Sequence, residues 1–147
     1  MENSTLTASA IMSFVEKLED DSAVFYETLA ARFDEGKQAF LGFAKESKKN
    51  KVHLIRTYQE TISDALEASF SFEGLELADF DFEIGSAMDL KGVLKAALEI
   101  EEEAVGLYAH IADQAQSLLA TIPKAFMRVA KRRRARKEVL QAMLDRA

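Results

Sequence analysis

Twice in this chain a glutamate stands inside an apolar helical stripe, and the fold has to accommodate both. Glu101 has Leu94 and Ala97 seven and four residues before it, and Ala104, Val105 and Tyr108 three, four and seven after it. Those offsets share one face of a helix. Glu19 repeats the arrangement, with Val15 behind it and Ser22, Ala23 and Tyr26 ahead. A lone buried carboxylate is costly, so each needs a metal, a cation or a hydrogen-bond donor. Any fold for this chain must bring such partners to two inward-facing points.

The two stretches belong to an internal repeat. Laying Leu18–Ala30 over Ile100–Ala112, an offset of 82, places Glu19 on Glu101, Tyr26 on Tyr108 and Leu29 on Ile111. A second pair of segments matches at an offset of 86, with Phe40 on Phe126, Phe43 on Val129 and Ala44 on Ala130. The expectation is two helical hairpins of one design facing each other. Each presents one inward Glu and, seven residues on, a Tyr.

Periodicity supports four helices. Ile11, Phe14, Leu18, Phe25, Leu29 and Phe33 predict a first helix over about 6–33, with Thr5 or Thr7 as its cap. Asp34-Glu35-Gly36 reads as a short turn, with Gly36 suited to a helix end. Phe40, Phe43, Ala44, Leu54, Tyr58, Ile62 and Leu66 predict a second helix over 37–68. Between 69 and 88 the period changes to two, with Phe70 and Phe72, then Phe80, Phe82 and Ile84, alternating with polar residues. With no partner strand in view, this stretch reads as an extended crossover whose aromatics pack on the bundle. Asp89 caps a third helix to about 119, and Thr121-Ile122-Pro123 opens a fourth over 122–145. One proline and six glycines in 147 residues permit such long helices. The fold class is therefore all-α. The architecture is an antiparallel four-helix bundle of two hairpins, with a long crossover between helices two and three. It forms a single domain over 1–147.

Composition removes several classes of function. Cysteine is absent, which excludes disulfides, thiolate metal sites and iron–sulfur clusters and fits a cytoplasmic protein. No basic segment followed by an apolar run marks a signal peptide, and no apolar stretch is long enough to span a bilayer. The net charge of −6 is unevenly spread. From Lys124 onward nine Lys/Arg face two Asp/Glu, or +7, and the remaining ten basic and twenty-three acidic residues give −13. The last helix is thus attracted to the rest of the chain. Its run Lys131-Arg132-Arg133-Arg134-Ala135-Arg136-Lys137 spreads around the helix, so a nucleic-acid partner is not the reading. There is no nucleophile–base pair and no glycine-rich phosphate loop.

The pieces Glu19-x6-Tyr26 and Leu-Glu-Ile-Glu-Glu-Glu-Ala-Val-Gly-Leu-Tyr at 98–108, carried on four helices, make the chain resemble the ferritin-like superfamily, and most closely its rubrerythrin-like branch. The resemblance implies a glutamate from helices one and three and a Glu-x-x-His from helices two and four, together binding two irons. Peroxide reduction, oxygen-dependent oxidation and iron storage are the activities it implies.

The chain departs from that pattern at the ligands. Glu19 and Glu101 carry over. The helix-two motif falls on Ser47-Lys48-Lys49-Asn50, and the helix-four motif on Arg133-Arg134-Ala135-Arg136. Four of six ligands are replaced. Glu46 and His53 lie seven residues apart, roughly 10 Å along a helix, too far to share one ion. Arg133 has Phe126, Val129 and Ala130 behind it and Leu140 seven residues ahead, and Arg136 has Val129 seven residues behind it and Val139, Leu140 and Met143 ahead. Both can point inward, so they are expected to neutralise Glu19 and Glu101. Asn50, Ser47, Tyr26 and Tyr108 are expected to complete that polar network.

The resulting expectation is a non-catalytic, rubrerythrin-related bundle with a degenerate metal site and no cofactor. It acts through protein interaction, as a homodimer. The alternative is a di-iron oxidoreductase of ferritin or rubrerythrin type, or an iron-binding protein, with an altered ligand set that takes iron or manganese.

Overall fold

The computed structural model describes residues 6–61, 71–72, 77–115 and 121–147. Four helices make up most of it: α1 (Ala8–Arg32), α2 (Lys37–Thr61), α3 (Leu90–Gln114) and α4 (Thr121–Arg146). None of them is long and apolar enough to cross a membrane. The expected continuations of helix two over 62–68 and of helix three over 116–119 lie outside the described residues.

Local chemistry sets the helix ends. Thr7 caps α1, its hydroxyl accepting from the Ala10 N–H at 3.1 Å. A capping residue is extended rather than helical, so Leu6–Thr7 is not the first turn expected of it. These two residues form a short strand, β1. It pairs antiparallel with β2 (Ser71–Phe72), Leu6 opposite Phe72 and Thr7 opposite Ser71. The alternating stretch does have a partner strand, and it is the residues just before α1. Gly36 takes a φ of 83°, the left-handed conformation that lets the chain reverse between α1 and α2. Asp89 caps α3 through the Gly92 N–H at 2.9 Å. Pro123 sits in the first turn of α4, where its missing N–H costs nothing.

Cross-bundle contacts give the directions. Lys51 reaches Asp20 and Lys48 reaches Glu27, so α2 runs against α1. Tyr26 bonds Glu101 while Tyr108 bonds Glu19, so α3 runs against α1. Glu46 meets Arg136, Asn50 meets Arg132 and Thr61 meets Thr121, so α4 runs against α2. Helices α2 and α3 are therefore parallel, and the segment between them must travel the length of the bundle. Its described part, 77–89, leads into α3 without helix or strand, and Phe80, Phe82 and Ile84 pack half-buried against the helices.

The core has three layers. One apolar cluster gathers Ile11, Val15, Leu18, Ile111, Phe126 and Val129 at one end. A second gathers Phe25, Leu29, Phe40, Val93, Leu94 and Leu140 at the other. Between them, at mid-length of all four helices, lies a polar layer.

Candidate functional site

Every buried polar or charged residue of the described chain belongs to that middle layer. They are Glu19 and Ser22 on α1, Ser47 and Asn50 on α2, Glu101 on α3, and Arg133 and Arg136 on α4. The helical period places them together. Glu19 and Ser22, Ser47 and Asn50, and Arg133 and Arg136 are each three residues apart, one turn on one face.

Arg133 stands at the centre. Its Nε donates to Glu19 Oε2 at 3.2 Å and its Nη2 to Glu19 Oε1 at 3.0 Å, a side-on fork. Nη1 donates to Glu101 Oε1 at 2.7 Å, and Nη2 also reaches Ser22 Oγ at 2.9 Å. One guanidinium thus bridges both inward carboxylates, with all three side chains fully buried.

Arg136 takes the next position. Nη1 donates to Ser47 Oγ at 3.1 Å and Glu101 Oε2 at 3.3 Å, and Nη2 donates to Glu46 Oε1 at 2.6 Å. The cation lies over the rings of Tyr26 and Phe43, at 5.4 and 5.3 Å from their centroids.

The tyrosines close the layer by exchange. Tyr26 on α1 donates to Glu101 Oε2 at 2.6 Å, and Tyr108 on α3 donates to Glu19 Oε2. Each repeat therefore supplies the hydroxyl for the other repeat's glutamate, a pseudo-twofold arrangement. Asn50 Nδ2 approaches Glu19 Oε1 at 3.5 Å, while its Oδ1 accepts from Arg132 at 2.9 Å.

Electrostatics follow from this geometry. Burial pushes the Glu101 carboxyl up, but Arg133, Arg136 and the Tyr26 hydroxyl outweigh it and hold the group below its ordinary value. Burial also works against the charge of Arg133, yet Glu101 and Glu19 keep it firmly protonated. Tyr26 and Tyr108 are pushed well above 10 by burial and by the carboxylate each one faces. Two fully buried carboxylates meet two buried guanidinia, so the layer is neutral at its centre. No buried side-chain N or O among the described residues lacks a partner.

All eight residues singled out from the sequence lie in this layer: Glu19, Glu101, Arg133, Arg136, Ser47, Asn50, Tyr26 and Tyr108. Three more belong to it that sequence reading did not assign. Ser22 shares the inner face of Glu19, three residues on, and serine carries little signal by itself. Glu46 was weighed only as a ligand alongside His53. It is instead the carboxylate that takes Arg136, while His53 lies toward Arg56, Arg128 and Arg132. Arg132 belongs to the basic run of the last helix, and its partner is the neutral amide of Asn50.

The residues present do not fit the two-metal centre that the resemblance implies. Arg133 fills the space between the two glutamates with N–H donors. Glu19 and Glu101 direct their oxygens at guanidinium and phenol groups. Among the described residues no three His, Cys, Asp or Glu side chains gather to hold an ion. No family model, no curated protein and no solved structure matches the chain.

Proposed function

We propose that this is a non-catalytic member of the ferritin-like superfamily, of rubrerythrin type, in which a salt-bridge layer stands where two irons would be. One observation carries the reading: the buried Arg133 fork bridging Glu19 and Glu101. The supporting architecture is a pair of hairpins joined by one long crossover between parallel helices, one of the known four-helix-bundle arrangements. A site whose carboxylates are saturated by permanent cations has no open position for oxygen or peroxide. The protein then works through its surface, as a cytoplasmic homodimer or as the partner of another protein.

Elemental analysis tests the central claim. Protein expressed in medium replete in iron and manganese should carry only substoichiometric metal, and sedimentation analysis should show a dimer. Two irons per chain, with anomalous scattering between Glu19 and Glu101, would overturn the proposal in favour of a di-iron oxidoreductase. A sedimenting monomer that captures no protein partner would remove the interaction role.

A further inference from the structure

The seam between α2 and α4 is laced by contacts whose residue numbers sum to a constant. Glu46 meets Arg136, Asn50 meets Arg132, and Thr61 meets Thr121, each pair summing to 182. This register sets every level of the seam. Between the second and third contacts lie residues 51–60 of α2 and 122–131 of α4. Those twenty positions include Lys51, His53, Arg56, Lys124, Arg128 and Lys131 and a single acid, Glu60. Lys51 is drawn off to Asp20 on α1.

One turn away the same seam is neutralised. Arg136 has Glu46 beside it at 2.6 Å. Arg132, one turn along α4, meets the neutral amide of Asn50. Under the 86-residue repeat, Arg132 is the counterpart of Glu46 and Asn50 the counterpart of Arg136. The pseudo-twofold pairing is kept, but this half has no carboxylate. Arg56 and Arg128 form no ion pair or hydrogen bond with the described residues, and both are exposed. His53 is half-buried in their midst. Burial and the charges of Arg128, Arg132 and Arg56 lower its pKa below 6.5. Among the described residues of this seam three guanidinia act on one imidazole with a single acid, Glu60, on the same stretch, a surplus of positive charge that suits an anion.

We infer that His53, Arg56, Arg128 and Arg132 form an oxyanion site in the α2–α4 seam that takes the dianionic phosphate group of a small molecule. Planar guanidinium forks match phosphate oxygens, and three of them with an adjacent imidazole suit a dianion. A long polyanion is disfavoured, because residues 1–123 carry ten basic and twenty-three acidic residues, a net −13 that would repel it beyond the last helix.

The chain's two histidines provide the readout. Imidazole proton resonances are followed against pH at about 10 mM ionic strength, where screening is weakest, with and without inorganic phosphate. Phosphate should raise the His53 pKa saturably and leave His110, on the outer face of α3, unmoved. Sulfate at matched ionic strength should do the same, and chloride should not. The double variant Arg56→Gln/Arg128→Gln alters only exposed side chains, and its helical circular dichroism checks that it folds. It should bind phosphate at least about tenfold more weakly, the equivalent of ~1.4 kcal/mol. Equal responses of His53 and His110, or a response that chloride reproduces, would overturn the site. So would a folded double variant that binds phosphate as the parent does. A single-stranded oligonucleotide that shifts His53 at far lower concentration than phosphate would overturn the small-molecule assignment in favour of a nucleic-acid surface.

Discussion

Arg133 directs four N–H bonds at Glu19, Glu101 and Ser22 from a side chain with no exposure to solvent. Such a bridge adds little over a well-packed apolar core, since desolvation offsets the attraction. Removing one member is a different matter. Arg133→Ala leaves Glu19 without a cation and Glu101 with Arg136 alone, and should cost on the order of 3–5 kcal/mol, read as a much lower denaturant midpoint. Adding Glu101→Gln should recover part of the loss, and a double variant no better than Arg133→Ala alone would refute the coupling. The layer also makes stability depend on pH. Glu101 titrates lower in the fold than in the unfolded chain, where a glutamate lies near ~4.3. Its stabilisation is therefore full above that value and lost as pH falls through the folded one. Denaturant midpoints should hold from neutrality to about pH 5 and then decline, with a shallower decline in Glu101→Gln. At the other extreme Tyr26 and Tyr108 titrate higher in the fold than near 10, so their contribution is lost as pH rises above that value. Two of the three tyrosines should ionise only as the helices melt, and phenolate absorbance that runs ahead of the loss of helicity would contradict this.

Among the elements, the crossover is held at its end by one side chain. Arg32, in the last turn of α1, donates through Nη2 to the carbonyls of Gly85, Ser86 and Met88 at 2.8, 2.8 and 2.6 Å. A cation there also suits the C-terminal end of the helix dipole. Arg32→Ala should release the approach to α3, costing about 1–3 kcal/mol. Amide exchange should quicken over 85–92 and remain slow at mid-α1. Uniform acceleration along the whole chain would instead mean that Arg32 supports the global fold. The turn between α1 and α2 is less forgiving. Gly36 has positive φ, and a Cβ added there would run into the Met143 methyl. Gly36→Ala should lower the melting temperature, and a neutral result would mean that the turn can relax.

For the whole molecule, the layer is divided by origin: every buried cation comes from α4, and the carboxylates come from α1, α2 and α3. The first hairpin alone would expose or bury Glu19 without a counter-ion. The second alone would hold two arginines against one inner glutamate. Fragments 1–76 and 77–147 should each be largely unfolded and should regain helical circular dichroism when mixed, while a fragment that folds alone would contradict the division. Much of this was legible in the chain. Glu19 and Glu101 broke apolar stripes and betrayed the inner faces, and the 82- and 86-residue offsets betrayed the two hairpins. Arg133 and Arg136 could be placed because a guanidinium stays charged when buried and can fork onto a carboxylate. Glu46 and Ser22 could not. A glutamate inside a polar run, here Lys45 to Lys51, reads as solvent-facing until the opposite helix is known, and a serine fits any face. The β1–β2 pair was only half legible: the alternation around Phe72 shows in the sequence, but its two-residue partner Leu6–Thr7 is too short for a pattern of its own and merges with the start of the first helix.

The layer also limits how this sequence can drift. Position 133 cannot surrender its cation while positions 19 and 101 keep their carboxylates, and neither carboxylate can leave first without unbalancing the arginine. Each single step crosses a deficit of ~3–5 kcal/mol, a large share of the roughly 5–15 kcal/mol that holds a domain together. Change at the centre must come in matched pairs, while the outward faces vary almost at will. Such a core works as a ratchet: once entered, it closes the one-step routes back out, and the lineage carries its charge pattern forward long after the surface has been rewritten.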